Sequence, residues 1–117
     1  YPGAKAQVFV KGEKEPLKFC SVKDGFVYVL QPENAKRTVA FWVSDFGNKK
    51  DIPLHEKMLS AQKAFFNAGS DVRGAMGKSI LPFATKGDVE AFTKEHGGTI
   101  VNYSEVNLGL LKSLKGH

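Results

Sequence analysis

The chain has 117 residues, of which 42% are hydrophobic, and this composition excludes a disordered polar tail. Its 17 Lys and Arg outnumber its 12 Asp and Glu, giving a net charge of +5, but no basic cluster is interleaved with aromatic residues, so we expect no nucleic-acid-binding face. The single cysteine, Cys20, excludes an internal disulfide and any zinc motif built on cysteine pairs.

The first half of the chain is predicted to form two strands, a helix and a third strand. Ser21 precedes Asp24 by three residues, a spacing typical of a helix start, and Pro32 ends the apolar helical pattern that follows. The third strand has the strongest signal because β-branched and aromatic residues dominate it. In chain order, the predicted elements are strands 4–10 and 17–20, a helix over 22–30 and strand 38–46.

A similar order returns in the second half, after a polar, lysine-rich segment at 47–51. Thr85 and Asp88 repeat the spacing of the helix start, and Gly97 with Gly98 ends the helix in the manner of a C-cap. Three leucines at helical spacing indicate a short terminal helix. The predicted elements are strands 61–68 and 79–84, a helix ending at 96, strand 99–103 and a helix around 110–114.

Two ordered matches indicate that the halves are duplicates of one unit. Residues 19–24 resemble residues 83–88, which follow 64 positions later. Residues 38–42 resemble residues 99–103, which follow 61 positions later. The alternative is that both halves contain an ordinary strand-to-helix junction, but two matches with similar offsets favour a repeat.

We therefore predict an α+β fold of two similar β-β-α-β modules with a short C-terminal helix. The first module is assigned to residues 1–48, and the second module with the terminal helix to residues 49–117. Each module alone is too small to bury a sheet face well, so we expect the two to pack together or to pair with a second chain in a homodimer.

The segment Val-Arg-Gly-Ala-Met-Gly-Lys-Ser at 72–79 raises three alternatives, namely a nucleotide site, a soft-metal site and a tight turn. A phosphate-binding loop needs a glycine five positions before its Gly-Lys-Ser, where this chain has Val72. It also needs a helix after the serine, but Ser79 begins a predicted strand. The nucleotide site is therefore excluded, and the other two alternatives stay open.

Nucleophilic catalysis has little support in the sequence. Cys20 lies between a strand and a helix cap, where we expect a buried small hydrophobic residue. His96 ends the second predicted helix, where its cationic form interacts favourably with the helix dipole. No signature arranges either residue with a catalytic partner, so we do not predict an enzyme.

Four side chains carry donors that a soft metal ion accepts. Thioether and thiolate sulfur select Cu(I), and imidazole is a borderline ligand. Met58 opens an apolar stretch and fills the core on the alternative interpretation, whereas Met76 lies between glycines outside any periodic segment. The candidate metal ligands are Met76, His55, Met58 and Cys20.

Several segments taken together resemble the NosL family, the accessory copper lipoproteins of nitrous oxide reductase. The Phe-Cys-Ser strand end at 19–21 and the Gly-Ala-Met-Gly turn at 74–77 are the most distinctive, and the similarity runs from Tyr1 to about Val106. The resembling segments are 1–7, 16–21, 28–33, 42–45, 69–77, 90–92 and 95–98.

The resemblance implies two linked β-β-α-β-like modules and a protein that binds copper as Cu(I). It implies that this copper supplies nitrous oxide reductase during denitrification, with a neighbouring ABC-type maturation transporter as partner. The implied location is the periplasm, with an N-terminal lipid anchor. The family methionine of the Gly-Ala-Met-Gly turn corresponds to Met76, which therefore takes the role of a soft copper ligand.

The sequence differs from the family pattern in two places. Relatives carry a Cys-Gly-Met segment ahead of the Tyr-Pro-Gly stretch, so we expect the anchor and further sulfur ligands upstream of Tyr1. Met58 stands where an aromatic residue is common in the family, and His55 just before it is a lower-ranked imidazole donor.

Two other functional classes stay open. A similar module architecture is associated with organomercurial lyase, but that chemistry calls for several cooperating thiols and this chain has Cys20 alone. A basic interaction module is the second alternative. For the copper chaperone, the positive charge is expected to favour docking to an acidic transporter or enzyme surface, or to anionic lipid.

Overall fold

Seven strands and four helices lie in the part of the chain that the computed structural model describes, residues 5–47, 58–74 and 77–114. The strands are β1 (Ala6–Val10), β2 (Leu17–Phe19), β3 (Thr38–Ser44), β4 (Met58–Ser60), β5 (Phe65–Gly74), β6 (Gly77–Phe83) and β7 (Thr99–Asn102). The helices are α1 (Val22–Val29), α2 (Pro32–Ala35), α3 (Lys86–His96) and α4 (Leu108–Ser113). Within these ranges no helix has the length and apolar character needed to cross a bilayer.

The two longest helices begin at the side-chain caps that the sequence predicts. The Ser21 hydroxyl accepts a hydrogen bond from the Asp24 backbone N–H at 3.2 Å, and Thr85 accepts one from the Asp88 backbone N–H at 3.1 Å. Each cap satisfies a backbone donor that has no partner inside the helix. The repeated spacing in the sequence therefore corresponds to a repeated local structure.

The strands form two antiparallel sheets with matching topology. The first sheet has the order β2-β1-β3-β4, and the second has the order β6-β5-β7. In both sheets the first strand of the module lies between its hairpin partner and the strand that follows the helix. This arrangement confirms the predicted α+β fold of two β-β-α-β modules, and α4 is the predicted C-terminal helix.

Residues 61–63 form a 3-10 turn, so the prediction of a strand over 61–68 is wrong at its start. Ala61 and Ala64 are buried three residues apart, which is the period of a 3-10 turn and not of a strand. The turn is closed by a hydrogen bond from the Ala64 backbone N–H to the Ala61 carbonyl at 3.3 Å, and β5 begins one residue later at Phe65.

Strand β4 belongs to the first sheet although it follows residue 48 in the sequence. Met58 pairs with Ser44 of β3, which makes β4 an edge strand of that sheet. The chain thus adds a fourth strand to the first sheet before it starts the second module. The division into residues 1–48 and 49–117 stays a prediction.

Helix α1 packs between the two sheets through Phe26. The Phe26 ring lies 5.0 Å from the ring of Phe41 in β3 and 5.2 Å from the ring of Phe66 in β5, measured between centroids, and both contacts are edge-to-face. Tyr103, which follows β7, lies 5.7 Å from the same ring. Buried side chains of both modules consequently form one hydrophobic core.

Candidate metal site

Cys20 is exposed at the end of β2, directly before the helix cap Ser21. The expectation that it is a buried small hydrophobic residue is wrong. The preceding Phe19 contacts Tyr28 of α1, with ring centroids 5.8 Å apart. Because consecutive side chains of an extended chain alternate between faces, Phe19 takes the buried position and leaves the Cys20 thiol in solvent.

Met58 and Cys20 lie at the same end of the first sheet but at its opposite edges. A row of paired residues crosses the four strands in the order Phe19, Ala6, Val43 and Leu59. Cys20 and Met58 each lie one residue beyond this row, so three strand spacings, about 14 Å, separate their backbones. Side chains stand roughly perpendicular to a sheet and metal–sulfur bonds are about 2.3 Å long. The two sulfur atoms therefore do not share an ion in this arrangement.

His55 and Met76, the other two candidate ligands, lie outside the described residues. The strands on either side of Met76 are described, and Gly74 of β5 pairs with Gly77 of β6. Both strands extend further than the sequence predicts, so that Ala75 and Met76 are the two residues between a pair of strand ends. The backbone around the predicted turn is thus a long β-hairpin.

His96 makes a contact that sequence reasoning missed. Its Nδ1 lies 2.8 Å from a carboxylate oxygen of Asp71 in β5, and its Nε2 lies 3.5 Å from a carboxylate oxygen of Glu95. The imidazole also stacks on the Phe92 ring, with centroids 4.5 Å apart. Besides the predicted interaction with the helix dipole, His96 thus links the end of α3 to the β5–β6 hairpin.

The contact between His96 and Asp71 lies where the hairpin is irregular. The pairing of β5 with β6 shifts register between Ala68 and Arg73, and Asp71 falls within that interval. A register shift leaves ladder positions without their regular partners. The imidazole consequently contacts β5 at the base of the hairpin arm that leads towards Met76.

The turn after α3 is fixed by a buried amide. Asn67 of β5 is fully buried, and its side-chain NH2 donates to the Thr93 hydroxyl at 2.8 Å and to the Gly97 carbonyl at 2.9 Å. Gly98 has a φ of +94°, and a Cβ atom at this position would lie 2.6 Å from the Asn67 side-chain oxygen. Glycine is therefore required here, and the turn holds the end of α3 against β5.

No three His, Cys, Asp or Glu side chains within residues 5–47, 58–74 and 77–114 are grouped so that they could hold a metal ion. The sequence also offers the thioethers of Met58 and Met76, which do not belong to these four residue types. Of the four candidates, the structure describes Cys20 and Met58, and it separates them. Met76, to which the resemblance gives the role of copper ligand, and His55, a lower-ranked donor from the sequence, stay predictions.

Comparisons with known proteins agree on one family. The family model described as NosL matches residues 1–111. The chain is 33% identical over 110 residues to the copper-binding lipoprotein NosL of Achromobacter cycloclastes, covering 91% of this chain and 57% of that protein. It is 33% identical over 113 residues to the copper-binding lipoprotein NosL of Stutzerimonas stutzeri, covering 96% of this chain and 58% of that protein. The chain thus spans less than two thirds of the length of these relatives.

Two solved structures share the fold. The crystal structure of the copper chaperone NosL from Shewanella denitrificans superposes with a TM-score of 0.85 at 31% identity, covering 92% of this chain and 81% of that one. The solution structure of the apo-NosL protein from Achromobacter cycloclastes gives a TM-score of 0.64 at 30% identity, covering 91% of this chain and 87% of that one.

Proposed function

The chain belongs to the NosL family, and on that premise we propose that it is a copper chaperone that binds Cu(I) and delivers it to the copper centres of nitrous oxide reductase. The observation that carries the proposal is the fold shared with a copper chaperone, at a TM-score of 0.85 over 92% of this chain. The names of the relatives support copper binding. The oxidation state and the destination of the copper are our inference from soft-donor chemistry and from the family resemblance.

Met76 is the residue that we propose as the main copper ligand. A thioether selects Cu(I) over harder ions, and it remains uncharged and deprotonated at any physiological pH, so binding releases no proton from it. Gly74 and Gly77, which flank Met76 closely in the sequence, pair at the ends of β5 and β6, and this supports the assignment of the segment to a β-hairpin. His55, Met58 and Cys20 are secondary candidates.

The distance between Cys20 and Met58 restricts the ligand set. Because about 14 Å separates their backbones, at most one of them joins Met76 in a single mononuclear site unless the sheet rearranges. A site with few protein ligands suits a chaperone, since the ion has to leave for a partner by ligand exchange.

The proposed partners follow from the same premise. Nitrous oxide reductase receives the copper, and the ABC-type maturation transporter assists in its assembly during denitrification. The name lipoprotein, given to both curated relatives, supports a membrane-anchored location in the periplasm. Assembly into a homodimer is a further proposal, and we propose no nucleic acid as a partner.

A non-enzymatic role is preferred over the organomercurial-lyase alternative. The relatives are named as copper-binding lipoproteins and as a copper chaperone, and none of these names describes an enzyme. Lyase chemistry calls for cooperating thiols, and this chain has one cysteine. The Cu(I) titration described next distinguishes the proposed copper chaperone from a basic interaction module that does not bind copper.

The test is an anaerobic Cu(I) titration of the chain against a competing chelator. Met76→Ala is expected to weaken Cu(I) binding by about tenfold or more, because a direct ligand contributes at least as much as the outer-shell groups for which such losses are typical. Met58→Ala removes the other thioether of the chain, at a half-buried position in β4, and a smaller loss of affinity is expected from it because Met58 is a secondary candidate. Equal affinity of Met76→Ala and the unsubstituted chain would overturn the ligand assignment, and failure of the unsubstituted chain to bind would overturn the function.

A further inference from the structure

The outer face of the first sheet carries two aromatic side chains, Phe9 and Trp42, that are each more than a third exposed. We use this name for six outward positions towards the middle of the sheet, which are Gln7, Phe9, Lys18, Ala40, Trp42 and Ser60. The inner side packs on α1, where a Cβ atom on Gly25 would lie 3.0 Å from both Ala6 and Phe41. Phe9 and Trp42 remain 36% and 37% exposed, although large aromatic residues are usually buried.

The register of the strands brings these side chains together. Gln7 pairs with Lys18 on one side and with Trp42 on the other, so the three form a row across the sheet. Phe9, two residues further along β1, pairs with Ala40. Neighbouring strands are about 4.8 Å apart, and the exposed indole, phenyl and ammonium groups therefore occupy one continuous surface.

The side chains of the outer face are suited to a partner surface on which negatively charged groups lie next to an apolar region. Trp places an apolar ring and a polar N–H in the same group, and it is favoured where hydrocarbon meets water. The exposed Lys18 supplies a cation on a long apolar stem. None of the six outer-face positions carries a carboxylate, although the chain contains 12 acidic residues. An anionic partner consequently meets no like charge from these positions.

We propose that the outer face of the first sheet lies against an anionic phospholipid bilayer. A sheet face suits a planar surface, and the net charge of +5 attracts the chain to it before the aromatic rings insert into the headgroup region. The proposal goes beyond copper binding and uses residues remote in sequence from Met76. Either one can therefore fail while the other holds.

The chain contains its own reporter for the test, because Trp42 is its one tryptophan. Vesicles of equal parts phosphatidylglycerol and phosphatidylcholine are expected to shift the Trp42 emission to shorter wavelength, and brominated lipids are expected to quench it. Vesicles of phosphatidylcholine alone are expected to do neither, and raised salt is expected to weaken the effect because exposed charges are screened. An unchanged emission with the anionic vesicles would overturn the proposal.

Paired variants locate the contact. Lys18→Gln is expected to weaken vesicle binding about fivefold, the typical effect of one basic residue at an anionic surface, whereas Lys94→Gln on the exposed part of α3 removes the same charge with less effect. Phe9→Ser is expected to weaken binding about tenfold, and Ile100→Ser, at an exposure of 39%, is its control. Circular dichroism verifies folding, and the exposed Lys18 keeps the test valid if Phe9→Ser unfolds.

Two further outcomes would also overturn the proposal. Equal losses in the Lys18 and Lys94 variants would indicate general charge attraction without a particular face. A shift of the Trp42 emission by soluble polyglutamate, with none by anionic vesicles, would assign the outer face to an acidic protein instead of a bilayer.

Discussion

The two modules share a topology but use their helices in different ways. Helix α1 buries Val22, Phe26 and Val29 between the sheets, whereas α3, although longer, fully buries Val89 alone. The strand hairpins differ as well, because β1 and β2 pair over three residues while β5 and β6 continue as far as Gly74 and Gly77. Both modules supply buried residues to the core, but the first places its helix between the sheets, whereas the second has the longer hairpin, which leads towards the predicted copper ligand Met76.

The different packing of α1 and α3 shows how two copies of one unit can come to differ in their roles. A helix that contacts two sheets has more positions limited by packing than a helix that contacts one. A helix at the surface is constrained on one side, and it is free to contact other elements, as His96 does with Asp71. The module whose helix buries fewer residues is thus the one with the longer hairpin.

The largest effect is expected from truncation of Phe26, whose ring contacts both sheets. Phe26→Ala is expected to lower the free energy of unfolding by about 3–5 kcal/mol, because it removes a fully buried ring and its contacts with both sheets. Phe92→Ala in α3 is the counterpart, and a smaller loss is expected since Phe92 is only half-buried. Urea denaturation measures both, and equal losses would contradict the more central position of α1 in the core.

Gly25 in α1 and Gly87 in α3 test the difference in packing between the two helices. Gly25→Ala is expected to destabilise by about 1–2 kcal/mol, because the new Cβ would lie 3.0 Å from the Ala6 methyl group and from the packed Phe41 ring, and this overpacking exceeds the gain in helix propensity. Gly87→Ala in α3 has open space around it and is expected to stabilise by up to about 1 kcal/mol. Thermal unfolding of the two variants should move in opposite directions, and a shift in the same direction would show that the helices are packed alike.

The sequence predicts this fold best where the signals are local. The caps at Ser21 and Thr85 depend on residues three positions apart, and both are found at 3.1–3.2 Å. The order of strands and helices follows from the same short-range patterns, and the family resemblance agrees with it. Such features are encoded by neighbouring residues, so no knowledge of the packing is needed to predict them.

Features that depend on packing between separate elements could not be predicted from the sequence. The burial of Phe19 against α1 decides that Cys20 is exposed, and this contact joins separate elements. The contact of His96 with Asp71 spans 25 residues. The separation of Cys20 from Met58 requires knowing that β4 joins the first sheet at the edge opposite β2, which no local pattern indicates.

The smallest expected effect concerns the junction between the modules, where Tyr103 of the second packs on Phe26 of the first. Burial raises the pKa of the Tyr103 phenol above its ordinary value of 10.0, so the folded chain retains this proton at pH values where the unfolded chain releases it. The resulting stability is fully present below pH 10.0 and is lost as the pH rises through the folded-state pKa. Urea midpoints measured from neutral pH to above this value should fall more steeply for the unsubstituted chain than for Tyr103→Phe, which lacks the ionisable group but keeps the ring. Parallel profiles would mean that the Tyr103 hydroxyl is as well solvated in the folded chain as in the unfolded one, and that the junction is looser than the close contact of the two rings indicates.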